Sequence, residues 1–509
     1  MTVNKTEQAR FVVVSFDGLR PDLIDSALTP NIVRLKERGV TLACHRTVYP
    51  SETRVAFPSL ITGATPDQHG MIGNKYVDRT AMPTRYIDTS DAKRLRELDL
   101  ESGGRLMSAP TLGEILAKRG RSLAVLATNT PGTTRLFHHK AEDFGHMRLS
   151  GHFPEACTPD TLKLEIEDRF GTLPPAPPPG TPDLEAQELI TSAFLEVVWP
   201  KSKPDVTILS FGEPDTCSHF SGTGAEKTRE VIAFCDKQLG RVIDWWEAEA
   251  HNNDVQIAVI SDHGHITGHT RVSVADSLRR AGFSPSTAPG VDVDAVVVPG
   301  QVGAIYLPDR TDRNVIKAVE AITSEPWCGC VFTAPKNEVE GIAPGTFGRH
   351  LVGVEHARSP DIVFSFRTDD SVDPFGLVGG TYYDNDRRTG LGLHGGLHPK
   401  ELAAVGVLAG TAFLDSGLMS RTPSGICDVV PTILEVMDIE RSQGMTGRVL
   451  QEALANTSAA ADSSITPDIF ETGSGAYSQA LRRVRVGTSI YLDGGWVGSG
   501  APTAARRHA

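Results

Sequence analysis

A chain of 509 residues, 39% hydrophobic and 22% charged, has an ordinary globular composition and exceeds the length at which one core stops growing. The expectation is one large α/β domain with insertions, or that domain plus a cap. A formal charge of −13 excludes a polyanion-binding surface spread over the molecule. A small phosphorylated substrate stays compatible with it, because bound cations reverse a local field.

Met1 to Arg10 is polar and lacks the apolar core and cleavage site of a signal peptide, and no run approaches the ~20 apolar residues of a membrane span. Seven cysteines, an odd number, read as reduced thiols, with Cys328-Gly329-Cys330 too isolated for a zinc site. The expected location is the cytoplasm, with no membrane and no nucleic-acid polymer as partner. No oligomeric state is read from the sequence.

Strand and helix signals alternate along the chain as in βα units. The apolar run Phe11 to Phe16 predicts a strand ending at Asp17. Thr29-Pro30 then opens a helix that Gly39 closes. A helix is predicted over Val55 to Ile61 despite Pro58, and another over Thr111 to Lys118, leading into the strand Ser122 to Ala127. Tyr76 to Gly104 is charged and irregular, and Leu173 to Gly180 reads as a stiff proline-rich surface linker.

Asp205 to Phe211 and Val255 to Ser261 are further buried strands, separated by a helix at about Ala225 to Glu249. Strands Asp294 to Val298 and Gly303 to Leu307 and a helix Arg313 to Ser324 follow, and Ile426 to Met437 is a late helix. Ala455 to Thr466 reads as mobile, and Arg483 to Val497 as a closing hairpin. The predicted organisation is a mostly parallel sheet with helices on both faces, its core over 1–264 and 394–453. A cap is inserted over 265–393, and 454–509 holds the mobile segment and hairpin.

Ligands of an open α/β sheet gather outside the carboxyl ends of its strands. Asp17, Asp215 and the Asp262-His263 pair all follow predicted strands. Asp215 and His219 stand four apart, on one face of a helical turn. Aspartate oxygen and histidine nitrogen suit zinc, and a catalytic site keeps a position open. Each pair alone fits a surface acid and a core histidine as well. Thr53 precedes a predicted helix, where free N–H groups can receive a phosphoryl oxygen; alone it would be an N-cap.

Together these segments resemble the alkaline phosphatase superfamily, most closely its nucleotide pyrophosphatase/phosphodiesterase branch. The resemblance runs through Val14 to Asp22, the Thr53 segment, Leu60 to Asn74, Glu213 to His219, Ser261 to Gly264, Leu393 to Leu397 and Asp428 to Leu434. It implies two zinc ions: Asp215, His219 and His394 for the first, and Asp17, Asp262 and His263, with Thr53, for the second. Mn2+ is accepted by the same donors. It also implies a small phosphorylated substrate, Thr53 as nucleophile with a phosphothreonine intermediate, and Asn74 holding a non-bridging oxygen.

The chain departs from the family after the nucleophile. Diesterases of the family usually carry phenylalanine, proline and asparagine there; this chain has Arg54, Val55 and Ala56. Arg54 either binds phosphate oxygens or pairs with a surface acid. If it binds phosphate, the substrate carries more negative charge, which keeps a phosphomonoesterase or phosphonoacetate-type hydrolase as the alternative. A serine-dependent mutase is disfavoured by Thr53, and a dead binding scaffold by the complete ligand set. His265 and His269 read as exposed loop histidines rather than as pocket-lining or phosphate-binding groups, and His45 and His69 as structural. Tyr382, Tyr383 and Phe375 either stack on a base or aryl group or pack within the cap.

Overall fold

The structure, a computed structural model, describes residues 9–80, 84–300, 302–455 and 464–498. Its centre is an eight-stranded sheet. The strands are β1 (Arg10–Asp17), β2 (Gly39–Leu42), β3 (Leu123–Ala127), β4 (Met147–Ser150), β5 (Val206–Pro214), β6 (Val255–Ser261), β7 (Gly406–Ala409) and β8 (Leu418–Ser420). Their order is β8-β2-β7-β6-β1-β5-β3-β4. Only β7 runs antiparallel to its neighbours.

Helices cover both faces, as expected. Successive β1 residues serve opposite cores because side chains alternate across a strand. Phe11 and Val13 face a cluster shared with helices Thr53–Thr62, Pro131–Phe137 and Val429–Val436. Val12, Val14 and Phe16 face the helices Pro30–Glu37, Glu185–Ala193 and Glu226–Asn253. Burial on both faces is why the central strands read as unbroken apolar runs.

Several boundaries move. Gly39 does not cap the first helix, which ends at Glu37; it opens β2, where a Cβ would meet the Leu408 carbonyl oxygen at 2.2 Å. The helix predicted at Val55 begins at Thr53, with Glu52 as its extended N-cap. The closing hairpin is part of a three-stranded sheet, Ile465–Ser474, Tyr477–Val486 and Ser489–Val497. Its added strand begins inside the segment read as mobile, while residues 456–463 of that segment lie outside the described residues.

Residues 265–393 build sheets of their own. One has six strands, includes Ala295–Val298, Val302–Tyr306, Cys328–Thr333 and Ile362–Phe366, and shares an apolar cluster with the helix Asp312–Thr323. The C-terminal sheet docks on it: Gln479 Oε1 accepts from the Val331 N–H at 2.8 Å. A four-stranded sheet pairs Ile266–Arg271 with Gly392–Leu393, antiparallel. That pairing brings the segment after Asp262-His263 beside the one carrying His394. Among the described residues, no helix is long and apolar enough to cross a membrane.

Candidate active site

The strands β6, β1 and β5 are adjacent and parallel, so their carboxyl ends lie side by side. Asp262, Asp17 and Asp215 sit at or just past those ends. Asp215 and His219 share the helical turn Asp215–Ser221. All seven side chains that the sequence singles out as metal ligands meet here.

In one group, His219 Nε2 and His394 Nε2 lie 3.2 and 3.3 Å from Asp215 Oδ1. The two nitrogens are 3.1 Å from each other. In the other group, His263 Nε2 lies 3.2 Å from Asp262 Oδ2 and 3.6 Å from Asp17 Oδ1. Thr53 Oγ1 touches this second group, 3.1 Å from His263 Nε2 and 3.4 Å from Asp17 Oδ1. The His263 and His394 rings stack at 3.7 Å, which joins the groups.

The backbone fixes which nitrogen faces inward. His219, His263 and His394 hold Nδ1 against the carbonyls of Gly392, Gly264 and Ser51, at 2.7, 3.1 and 2.8 Å. A carbonyl only accepts, so each Nδ1 carries the proton and each Nε2 presents a lone pair. Those lone pairs face carboxylate oxygens, which are also acceptors. Asp215 Oδ1 and Asp262 Oδ2 are buried without a hydrogen-bond partner. Buried acceptors facing acceptors are costly unless a cation lies between them. The donor set fits divalent metal ions.

The electrostatics follow from the same crowding. Burial, with the charges of Asp262 and Asp215, pushes Asp17 well above the usual carboxylate range. Burial pushes Asp262 up to about 7. Asp215 is buried too, yet its histidine neighbours hold it well below its ordinary value.

His265 is a correction to the sequence reading. It is 0% exposed rather than on an exposed loop. Its Nδ1 lies 2.9 Å from the Gly18 carbonyl and its Nε2 3.1 Å from Asp215 Oδ1. Gly18 makes room for it: at φ +72° its absent Cβ would sit 2.2 Å from His265 Cε1. Asp215, His263, His265 and His394 form one potential metal-holding group, and Asp17, Asp262 and His263 another.

Asn129, just beyond β3, was also missed. Its amide donates to Asp17 Oδ2 at 2.7 Å and accepts from Ser210 Oγ at 2.8 Å. The signal was present, since a polar residue past a buried strand is the pattern that found the aspartates. His269 is half-buried and pairs with Asp369, whereas His45 and His69 are buried against Ser424 and Ser59.

Asn74 and Arg54 are coupled. The Arg54 N–H, offered by the sequence to a phosphoryl oxygen, donates instead to Asn74 Oδ1 at 3.0 Å. That leaves the Asn74 NH2 as the available donor. Arg54 Nε donates to Thr89 Oγ1 at 2.9 Å, and its terminal nitrogen is 4.0 Å from Asp88.

Two clefts meet at Arg54. A small one of ≈ 180 Å³ adjoins Thr53, Asp17, Asn129 and His152. Ala176 and Pro177 line it, so the proline-rich segment is a wall of the site rather than a bare linker. A larger one of ≈ 780 Å³ runs from Asn74 to Phe220 and the loop at Arg387. Of the three aromatics considered in the cap, Tyr383 is buried, with its hydroxyl on the Arg387 carbonyl at 3.1 Å. Tyr382 packs edge-on against His269, and Phe375 is 46% exposed beside Gly222 and Gly224.

Residues 11–369 match the type I phosphodiesterase/nucleotide pyrophosphatase family. The chain belongs to that family. A venom phosphodiesterase of Macrovipera lebetinus is 23% identical over 261 residues, 51% of this chain and 26% of that protein. Human ectonucleotide pyrophosphatase/phosphodiesterase family member 5 is 22% identical over 260 residues, 51% of this chain and 45% of that protein. The chain thus matches less than half the length of these relatives. The solved structure of murine ectonucleotide pyrophosphatase/phosphodiesterase 5 superposes with a TM-score of 0.58 at 16% identity, covering 88% of this chain and 100% of that one. An inactive threonine-to-alanine variant of that murine protein, in complex with AMP, gives 0.57. These likenesses establish the α/β fold.

Proposed function

We propose that the protein is a two-metal hydrolase of phosphate esters, a phosphodiesterase or nucleotide pyrophosphatase, with Thr53 as its nucleophile. The observation that carries this is the Thr53 hydroxyl at a helix start, within 3.4 Å of both Asp17 and His263, beside the cluster of Asp215, His219 and His394. The ions are zinc, with manganese as the alternative, and the residues named above would hold them. Bound there, such ions lower the pKa of a hydroxyl or water and offset charge on phosphoryl oxygens.

Thr53 Oγ attacks phosphorus, the bond to the leaving oxygen breaks, and a phosphothreonine results. Water then attacks that phosphorus, the Thr53–phosphorus bond breaks, and phosphate or a monoester leaves. The Asn74 NH2, oriented by the Arg54 N–H, donates to a non-bridging oxygen as charge develops there. Cytoplasmic action is part of the same reading, supported by seven free thiols.

The inactive threonine variant of the murine neighbour supports the nucleophile, and its AMP supports a small nucleotide-like substrate. Arg54 favours a second reading, a monoesterase or phosphonoacetate-type hydrolase. Rates on bis-p-nitrophenyl phosphate, p-nitrophenyl phosphate and phosphonoacetate decide between them. The diester is expected to lead, and a dominant monoester or phosphonate rate overturns the first reading.

A further inference from the structure

The larger cleft is charged against the trend of the molecule. The chain carries −13, yet Arg54, Lys75, Arg271, Arg387 and Arg388 line this space with only three carboxylates, Glu52, Asp384 and Asp386. Each carboxylate is already engaged. Glu52 Oε2 accepts from the Asn74 N–H at 2.6 Å, and Asp384 Oδ2 from the Val274 N–H at 3.0 Å. Asp386 pairs with Arg271 at 2.6 Å. Lys75 has Asp88 at 3.6 Å.

Arg387 and Arg388 differ: among the described residues neither forms an ion pair. Arg387 is nevertheless held in place. Asn385 Oδ1 accepts from its N–H at 2.9 Å, and its carbonyl accepts from the Tyr383 hydroxyl at 3.1 Å. Its Nη1 donates to the His219 carbonyl at 3.1 Å, and the guanidinium lies over the Phe220 ring at 5.0 Å. A half-buried guanidinium positioned this way, one residue from the metal cluster, has donors left for a ligand. Planar guanidinium forks match carboxylate and phosphate oxygens.

We propose that Arg387, with Arg388 beside it, forms a subsite for a second anionic group of the substrate, carried on the ester arm that stays bonded to phosphorus while the other departs. The inference rests on the hydrolase reading of Thr53 and narrows its substrates to organic phosphates bearing a further phosphate or carboxylate. A nucleoside arm alone, uncharged apart from the scissile phosphate, would leave the remaining guanidinium donors of Arg387 without an anionic ligand, with Asp215 as its counter-charge on the protein.

The test uses the metal-loaded enzyme and three diesters with one leaving group: p-nitrophenyl phenyl phosphate and its para-carboxyphenyl and para-phosphonophenyl analogues. Wild type is expected to prefer a charged arm in kcat/KM by about 10- to 100-fold, the range of a hydrogen bond to a charged group. The better arm names the source, carboxylate or phosphate. R387A is expected to cut that preference to within about threefold, R387K to retain part of it, and the exposed R388A to lower it less.

A wild-type enzyme with no preference overturns the subsite. So does a preference that survives R387A, including the case where all three rates fall together because the His219 carbonyl has lost its donor. If wild type hydrolyses none of the three, the diesterase reading falls instead. Calorimetric binding of inorganic pyrophosphate against phosphate then judges the subsite: equal affinities overturn it, and a pyrophosphate preference lost in R387A upholds it.

Discussion

His265→Ala removes a ring whose polar contact with the metal cluster is Asp215 and which packs edge-on against His219, His263 and His394. Its Nδ1–H is spent on the Gly18 carbonyl at 2.9 Å, and its Nε2 faces Asp215 Oδ1 at 3.1 Å. Both atoms are acceptors without a hydrogen-bond partner, so losing the ring removes one nitrogen lone pair from the group that faces a cation at Asp215. Outer partners of metal ligands typically contribute about 10–100-fold in affinity. The expected result is therefore one zinc site weakened about 10- to 100-fold and the Asp17 site changed far less.

The assay is titration of metal-free protein with Zn2+ against a chromophoric chelator, which reads both sites in one curve. His265→Gln keeps an amide nitrogen near the same point and is expected to recover part of the loss. Urea unfolding of the metal-free variants separates a general loss of stability from a loss of metal. Both affinities within about twofold of wild type, well below the range expected of an outer partner, would refute the assignment of His265 to the cluster.

Thr53→Ala is expected to abolish turnover by several orders of magnitude, as loss of a nucleophile does. It should retain its metal, because six ligand side chains remain; single-turnover rates and metal analysis check both. Asp262→Asn and His394→Ala are expected to lower metal content together with rate, each from a different group, and metal analysis of the purified variants measures it. Stability should depend on pH with opposite sense in the two metal states. Asp262 is raised from 3.8 to about 7 and Asp17 is raised as well. Folded metal-free protein therefore binds protons more tightly than the unfolded chain, and this contribution is full below about pH 4 and is lost as pH rises to about 7. Each such group gives at most about 1.4 kcal/mol per pH unit. With metal bound the carboxylates stay ionised, so stability and metal affinity should rise over the same window. Urea denaturation at four pH values, with and without chelator, tests the sign.

Much of the site was legible because local sequence reports burial. Parallel strands covered on both faces read as apolar runs, and Asp17, Asp215 and Asp262 stand where those runs stop. The same rule points to Asn129, two residues past β3. His265 carried no such signal. Its burial depends on Gly18, 247 positions away, lacking a Cβ. The strand Ile465–Ser474 was hidden by its own exposure, since an edge strand with polar residues on both faces shows no alternation. The proline-rich segment looked like a linker because the sequence does not show what it lies against, and it lies against the cleft beside Thr53.

The sequence by itself determined which groups are available and that they end strands or open helices, because those properties depend on neighbours a few residues away. Only the tertiary structure decided that β1 lies between β5 and β6, that His394 returns beside Ile266–Arg271, and that Arg387 faces Phe220. Strand order and loop docking join residues hundreds of positions apart through packing and hydrogen bonds that leave no local pattern. The distances within the candidate site follow from them.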